Sequence, residues 1–198
     1  MRFVDNPHGP MLAALAAMHH SELPSSLISQ LGSGYTLAFY NYAASSPDEL
    51  VVASVDDDGA VVGGGFVSYS PMNLPRRMIS HTPLFGALLR KPLLAARLVM
   101  GQMSSVAGQH GDNHEDDPEL IALFVKNGQR SRGIGGKILA HCESVLRSRS
   151  RDRYFIRTTE APDNRAIDFY AHAGFETVRS ATIHGEAFRF MAKRLEQV

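Results

Sequence analysis

The sequence contains no tryptophan and only one cysteine, Cys142, among 198 residues. A single thiol cannot form a disulfide within the chain, which is typical of a reducing compartment and favours a cytoplasmic location. Lysine plus arginine and aspartate plus glutamate number 20 each, so the formal net charge is zero. Because proteins that bind nucleic acid usually have a basic excess, this balance argues against DNA or RNA as the main partner.

Long uninterrupted hydrophobic runs are also missing. The longest apolar stretch, 83–106, is broken by Arg90, Lys91, Pro92 and Arg97, so we predict no membrane span. The apolar content of 44% is nonetheless ordinary for a globular protein with a real core. At this length we expect one domain with an insertion.

The most informative stretch joins a predicted buried strand, Leu120–Val125, to a glycine-rich turn. The turn reads Arg130-Ser-Arg-Gly133-Ile-Gly135-Gly136, and a helical pattern follows at once. Glycines let a backbone approach a ligand closely, and the start of a helix offers unpaired N–H groups. The combination predicts an anion site, although neither the Walker nor the Rossmann glycine pattern is present in this turn.

A second motif lies downstream and reads Asn164-Arg-Ala-Ile-Asp-Phe-Tyr170-Ala-His-Ala-Gly-Phe175. Together the two stretches resemble motifs A and B of the Gcn5-related N-acetyltransferases (GNAT), which read Q/R-x-x-G-x-G/A and N-x-x-A-x-x-F-Y-x-x-x-G-F. The resemblance covers residues 118–195 well, and residues 1–117 share only the general layout. Ser131 departs from the pattern, because many members have glycine there.

The resemblance implies a mixed α/β domain with a central sheet, the acyl-CoA N-acyltransferase fold, over residues 1–198. Predicted strands are Arg2–Val4, Glu49–Val55, Ala60–Ser70, Leu120–Val125, Arg153–Thr159, Glu176–Ile183 and Glu186–Leu195. Predicted helices are Gly9–His20, Leu27–Leu31, Tyr35–Ala44, Gly133–Ser148 and Asp163–Ala173, the last with Asp163 as its cap.

Residues 71–117 form an insertion before the fourth strand, where a typical member has a short turn. Within it, Pro83–Val106 is predicted to be helical with a break near Pro92. These helices could form a lid over the acceptor, a dimer face or a membrane-surface patch, so a homodimer is one alternative. The polar residues that follow, 108–117, include histidines and carboxylates. Their spacing fits no standard zinc pattern, so we predict a solvated loop and no metal site.

The resemblance further implies acetyl transfer from acetyl-CoA to an amine. In the family the pantetheine pairs with the fourth strand, which assigns Leu123, Phe124 and Val125 to the co-substrate. The Leu123 N–H would also polarise the acetyl carbonyl. Asn164 aligns with an asparagine that contacts CoA. The pyrophosphate would meet the amides of Arg130, Ser131, Arg132, Gly133, Ile134, Gly135 and Gly136.

Two residues are candidates for proton transfer. Tyr170 aligns with the tyrosine that protonates the leaving thiolate, and its alternative is a packed aromatic. Glu119 takes the place of the glutamate base of the histone-acetyltransferase branch, and its alternative is a surface carboxylate, with Glu160 and Asp117 in reserve. His19 and His20 are either part of the acceptor site or a pair of residues at the C-terminal end of the first helix, where they interact favourably with the helix dipole.

The acceptor is the least determined part of the prediction. The first half of the chain resembles, more weakly, GNATs of polysaccharide and lipopolysaccharide gene clusters, on the stretch His19-His-x-x-Leu-Pro-Ser-Ser-Leu27. That resemblance implies a small-molecule primary amine such as an amino sugar. The alternatives are a protein or peptide acceptor, or an acetyl-CoA-binding regulatory module without catalysis.

Overall fold

The computed structural model describes residues 1–92, 117–183 and 185–196. Within them, seven strands form one sheet: β1 (Arg2–Asp5), β2 (Glu49–Val55), β3 (Val61–Ser68), β4 (Glu119–Val125), β5 (Arg153–Thr159), β6 (Glu176–Ile183) and β7 (Glu186–Arg194). Their order across the sheet is β1-β2-β3-β4-β5-β7-β6. All neighbouring strands are antiparallel except β4 and β5, which run parallel.

Helices cover both faces of this sheet. One face carries α1 (Gly9–Glu22), α2 (Leu27–Gln30), α3 (Ser33–Ser45), α4 (Leu74–His81) and α5 (Leu84–Leu89). The other face carries α6 (Ile134–Ser148) and α7 (Ala166–His172). Each group packs on its own apolar cluster, because alternate side chains of the strands point to opposite faces. None of the helices in the described part of the chain is long and apolar enough to cross a membrane.

Helices from both faces pack closely against the centre of the sheet at β3. Every residue of β2 and β3 is buried, which explains why both strands read as continuous apolar runs. A Cβ on Gly64 would collide with Leu15 of α1, and one on Gly63 would lie 2.9 Å from Ile138 of α6. The missing side chains therefore let helices from both faces approach the sheet closely.

The predicted fold is confirmed, and most predicted elements agree with the structure within two residues. One local prediction was wrong, and one helix was not predicted. The cap of α7 is not Asp163, since the helix begins at Ala166 and Asn164 Oδ1 accepts the Ala166 N–H at 3.0 Å. In the insertion, α4 was not predicted, whereas the predicted break near Pro92 agrees with α5, which ends at Leu89. The rest of the predicted helix and most of the polar stretch fall outside the described residues.

Candidate active site

A gap opens in the sheet between its two parallel strands. β4 and β5 pair only at Glu119 with Phe155 and at Leu120 with Ile156. Beyond these two pairs β4 stays paired with β3 and β5 stays paired with β7. In the part of the chain that the structure describes, one edge of β4, from residue 121 to 125, is therefore left without a neighbouring strand.

The direction of the β4 peptide groups can be read from the strand's last hydrogen bonds. The Lys126 N–H donates to the Val62 carbonyl of β3 at 2.9 Å. Because peptide groups alternate in direction along a strand, those of Leu123 and Val125 point away from β3 and into the gap. The Val125 carbonyl confirms this direction, since it accepts a hydrogen bond from Arg130 Nε at 3.3 Å. Phe124, by contrast, lies in the core on the α1 face, and its side chain does not reach the gap.

The glycine-rich turn closes one end of the gap. Gly133 precedes α6 with φ 75° and Ser131 has φ 62°, so both adopt the left-handed conformation that favours glycine. This conformation explains why a glycine often stands at the Ser131 position of the motif. No side chain caps α6, so its first-turn amides keep their donors for a ligand. A Cβ on Gly133 or Gly136 would meet no atom within 4 Å, which leaves open space over the turn.

The turn is fixed by a residue that sequence reasoning missed. Glu22, at the end of α1, accepts the Asn127 N–H at 2.9 Å and Arg130 Nη2 at 2.6 Å. The Arg130 side chain is therefore held by Glu22 and the Val125 carbonyl. Arg132 is bound more loosely, through Nη1 to Gln129 Oε1 at 3.1 Å. No motif marks Glu22, because it lies more than one hundred residues before its partners.

Tyr170 lies on α7, in the cluster that covers the α6 face of the sheet. Its ring packs edge-on against Phe169 and Phe175, and only 8% of the residue is exposed. Its hydroxyl has no hydrogen-bond partner among the described residues, and it is not one of the fully buried unpaired oxygens. Burial raises the pKa of this phenol, with a smaller contribution from Cys142, so the group stays protonated. Phe169 also lies 3.6 Å from the Cβ position of Gly135, which brings α7 beside the turn.

Asn164 holds the end of β5 to the start of α7. Its Nδ2 donates to Thr158 Oγ1 at 2.8 Å and to the Thr159 carbonyl at 2.7 Å. Its Oδ1 accepts the Ala166 N–H described above. The side chain thus joins the end of β5 to the start of α7 and positions Tyr170 on that helix.

Glu119 is the first residue of β4 and lies where the gap begins. Only 6% of the residue is exposed, so the alternative of a surface carboxylate was wrong. Burial raises the pKa of the Glu119 carboxyl, and the Arg157 guanidinium, whose Nη2 lies 3.5 Å from Oε1, opposes that rise. The two reserve candidates are engaged elsewhere, because Glu160 accepts from Ser180 and Arg189, and Asp117 lies 3.8 Å from Arg153.

Glu119 belongs to a polar row that crosses three strands. Ser68 of β3 pairs with Glu49 of β2 on one side and with Glu119 on the other. Glu49 is completely buried and accepts Arg77 Nη2 of α4 at 2.6 Å, and the same nitrogen lies 3.3 Å from Ser68 Oγ. Arg77 therefore joins the start of the insertion to the end of the sheet that contains Glu119.

The two adjacent histidines of α1 have different environments. His19 is buried, with Nδ1 2.7 Å from the Tyr40 hydroxyl and Nε2 2.9 Å from Ser26 Oγ. Burial, with a smaller effect of His20, lowers the pKa of His19 to about 4. His19 is thus a neutral core residue, whereas His20 Nδ1 is buried without a hydrogen-bond partner.

Comparison with known proteins agrees with this geometry. The model of the Acetyltransferase (GNAT) family matches residues 15–175. The chain belongs to this family. No match was found among curated proteins. The predictions of an acyltransferase and of acetyl-CoA as its co-substrate are thereby confirmed.

Solved structures similar to this acetyltransferase show the same fold along the whole chain. An aminoglycoside 6'-N-acetyltransferase complexed with coenzyme A has a TM-score of 0.65 at 15% identity, over 99% of this chain and 98% of that chain. The aminoglycoside 6'-N-acetyltransferase from Enterococcus faecium has a TM-score of 0.59 at 16% identity, over 99% and 98%. Tetrahymena GCN5 has a TM-score of 0.58 at 12% identity, over 100% and 98%. At these identities the similarity concerns the fold alone.

Proposed function

We propose that this acetyltransferase transfers the acetyl group of acetyl-CoA to a primary amine of a small molecule, for which an amino sugar is the leading candidate. The observation that carries the proposal is the gap between β4 and β5. It leaves the Leu123 and Val125 peptide groups without a strand partner on that side in the described residues, next to a turn whose first-turn amides have no side-chain cap. A pantetheine arm with its own amides fits such an edge, and a pyrophosphate fits the start of α6.

Each step of the transfer then has a residue of this chain. The bound acetyl-CoA supplies a thioester, whose carbonyl carbon is attacked by the amine while the carbon–sulfur bond breaks. The Leu123 N–H donates to the carbonyl oxygen as negative charge grows on it. Tyr170, protonated and without a partner among the described residues, donates its proton to the departing sulfur.

On the acceptor side, Glu119 takes a proton from the acceptor's ammonium group, directly or through one water, and the free amine that results attacks the thioester carbon. A carboxyl whose pKa is raised by burial is a stronger base than an exposed one, provided that it stays ionised. Arg157 favours that ionised form. Asn164 and Glu22 position α7 and the turn, and they need not touch the reacting atoms.

The test of the co-substrate site is Gly135→Asp. The added Cβ would lie 3.6 Å from Phe169, an ordinary contact, so the variant should fold. Its carboxylate would face the pyrophosphate, and we expect acetyl-CoA to bind at least about tenfold more weakly in calorimetry, which corresponds to about 1.4 kcal/mol. Gly34→Asp is the matched control, because Gly34 also lies near the start of a helix with open space around it. Equal affinity in both variants would refute the assignment of residues 130–136.

Two other readings remain alternatives. A protein or peptide acceptor would use the same donor site, and a regulatory module would bind acetyl-CoA without turnover. The presence of both Glu119 and Tyr170 at the gap supports an enzyme over a module. The single domain, the cytoplasmic location and a homodimer remain predictions.

A further inference from the structure

The open face of β5, β7 and β6 carries a row of three residues in register. Arg157 of β5 pairs with Phe190 of β7, and Phe190 pairs with Arg179 of β6. Both guanidinium carbons lie over the Phe190 ring, at 6.0 Å from its centroid for Arg157 and at 4.1 Å for Arg179. We call Arg157 and Arg179 the arginine pair. It starts beside Glu119, since Arg157 Nη2 is 3.5 Å from Glu119 Oε1.

The arginine pair is less neutralised than the other arginines around the site. Arg77, Arg130 and Arg189 each have a carboxylate oxygen within 2.8 Å. Within the described ranges, the ion pair of Arg157 is the longer contact to Glu119, and 42% of its side chain is exposed. For Arg179, no carboxylate lies within ion-pair distance in the part of the chain that the structure describes, and the residue is exposed.

The neighbouring carboxylates do not change this balance. Glu176 of β6 is opposite Ala192, and it forms no ion pair with Arg179. Glu160 is already bound to Ser180 and Arg189 at the end of β5. The buried Glu119 carboxyl is the one already described as the contact of Arg157. Among the described residues, the two guanidinium groups therefore share only the Glu119 carboxyl, which is in contact with Arg157.

We propose that the acceptor of this acetyltransferase carries an anionic group, a phosphate or a carboxylate, in addition to its amine, and that the arginine pair binds that group. This inference rests on the proposed transfer to an amine. A guanidinium offers a planar fork of N–H donors that matches both anions, and stacking on Phe190 holds the fork in place before binding. Because Arg157 lies next to Glu119, an anion bound by the arginine pair and an amine at Glu119 are close enough to belong to one small molecule.

The geometry also sets the size of the acceptor. The amine must lie near Glu119 on β4, and the anion lies between Arg157 on β5 and Arg179 on β6. Since neighbouring strands are about 4.8 Å apart, the two groups of the acceptor are separated by roughly 5 to 10 Å. A phosphorylated amino sugar meets both conditions, and a polycationic amine would face like charge at the same place.

The experiment follows CoA release by the full-length protein at saturating acetyl-CoA with matched amines. One pair is glucosamine and glucosamine 6-phosphate, another is ethanolamine and O-phosphoethanolamine, and kanamycin is the polycation. We expect the phosphorylated member of a pair to have a kcat/KM higher by about tenfold or more, because hydrogen bonds to charged groups are the strong ones. Kanamycin should be a poor acceptor.

Substitutions test whether the arginine pair causes this preference. Arg179→Gln should remove most of the preference through KM for the phosphorylated amine, with KM for acetyl-CoA unchanged. Arg179→Lys keeps the charge without the fork, so it should be intermediate. Arg2→Gln, which removes an exposed arginine at the far edge of the sheet, should behave as the wild type. A preference for the parent amines without phosphate or for kanamycin, or a phosphate preference that survives Arg179→Gln, would overturn the inference.

A binding measurement keeps the inference separate from the proposed function. Calorimetry with the CoA-saturated protein should show tighter binding of a phosphorylated amine than of its parent, and Arg179→Gln should abolish the difference. If that difference is found but no amine releases CoA, the proposed transfer fails and the anion site stands. If amines are acetylated but phosphorylated and parent amines bind equally, the transfer stands and the anion site fails.

Discussion

At the scale of single residues, Tyr170 combines three properties that a proton donor needs. It is held by two aromatic neighbours, its hydroxyl is free of partners among the described residues, and burial keeps the phenol protonated. We predict that Tyr170→Phe lowers kcat by about 10²–10⁴-fold, the usual contribution of a general acid. Acetyl-CoA affinity should change little, because only one oxygen is removed.

Tyr69→Phe is the matched control for that experiment. Tyr69 is also buried in the same apolar cluster, and its hydroxyl is buried without a hydrogen-bond partner. Removing an unsatisfied buried hydroxyl should leave the rate unchanged and stability equal or higher. Steady-state kinetics of both variants decide the matter, and equal rates for Tyr170→Phe and the wild type would mean that the sulfur leaves without this proton.

Glu119 gives a prediction in which rate and stability move in opposite directions. Burial raises its pKa in the folded protein above the ordinary value of a glutamate, so the ionised carboxylate costs stability at pH values above the folded pKa. That cost disappears as the pH falls below the unfolded value. We predict that Glu119→Gln lowers kcat/KM above the folded pKa, where the wild-type base is ionised, and removes the fall in rate on acidification through it.

The same variant should be at least as stable as the wild type near neutral pH. Glu49→Gln is the control, since Glu49 is buried in the same polar row and its pKa is also raised by burial. It should shift the free energy of unfolding without changing the pH profile of kcat/KM. Urea unfolding at several pH values, together with pH–rate profiles, would show whether Glu119→Gln has a wild-type profile, in which case solvent deprotonates the amine.

These residues also show what sequence can and cannot predict. The roles proposed for Tyr170 and the turn came from a local motif, and their surroundings lie within a few residues of each other in the chain. Glu22 could not be found in this way, because its contact with Arg130 exists only after α1 packs beside the turn. The burial of Glu119 was equally hidden, since it depends on β3 and β5 lying on both sides of β4.

At the scale of elements, the buried His19 joins three helices and β4. Its ring contacts Tyr40 of α3 and Ser26 before α2, and it lies edge-on to Phe124 of β4 at 5.3 Å between centroids. Ser26 Oγ donates its proton to Ser29 Oγ, so it accepts from Nε2–H of the neutral ring, and Nδ1 accepts from the Tyr40 hydroxyl. This network fixes the chain between α1 and α2.

The histidine network predicts a loss of stability in acid. Because the folded pKa of His19 is about 4 against an ordinary 6.5, the unfolded chain binds a proton that the folded protein does not. The stabilisation is complete above pH 6.5 and is lost as the pH falls towards 4, by about 3 kcal/mol in all. We predict that His19→Gln is less stable at pH 7 but loses less of its free energy of unfolding between pH 7 and 4.

The control for this measurement is His8→Gln, which removes an exposed histidine before α1. Its loss of stability on acidification should equal that of the wild type in urea titrations. If His19→Gln lost as much stability as His8→Gln over the same range, the imidazole would not be the group that titrates. The strands were easier to predict than this network. Continuous apolar runs indicate β2 and β3, whereas no sequence pattern predicts that a histidine is buried.

At the scale of the whole molecule, the gap divides the sheet into two parts. β1 to β4 form one part and β5, β7 and β6 form the other, and only two residue pairs of the sheet join them. A ligand that lies in the gap takes the place of the missing pairs. We predict that CoA slows hydrogen exchange at the Leu123 and Val125 amides, which have no strand partner in the free protein.

The comparison for that measurement is β2 and β3, whose pairing continues along both strands. Their amides should exchange slowly with or without CoA, apart from a uniform change that reflects global stability. Protection of Leu123 and Val125 in the free protein would show that the gap is closed in solution. Protection by CoA that spreads equally over all strands would show that the ligand does not lie along β4.

The strand order on the far side of the gap has a consequence for biosynthesis. β7 follows β6 in the chain, yet it lies between β5 and β6 in the sheet. In the order of synthesis β6 precedes β7, the strand that connects it to the sheet, and β5 pairs with β7 along its whole length. The side of the gap formed by β5 can therefore be completed only after β7 has been made, later than β4 and the glycine-rich turn.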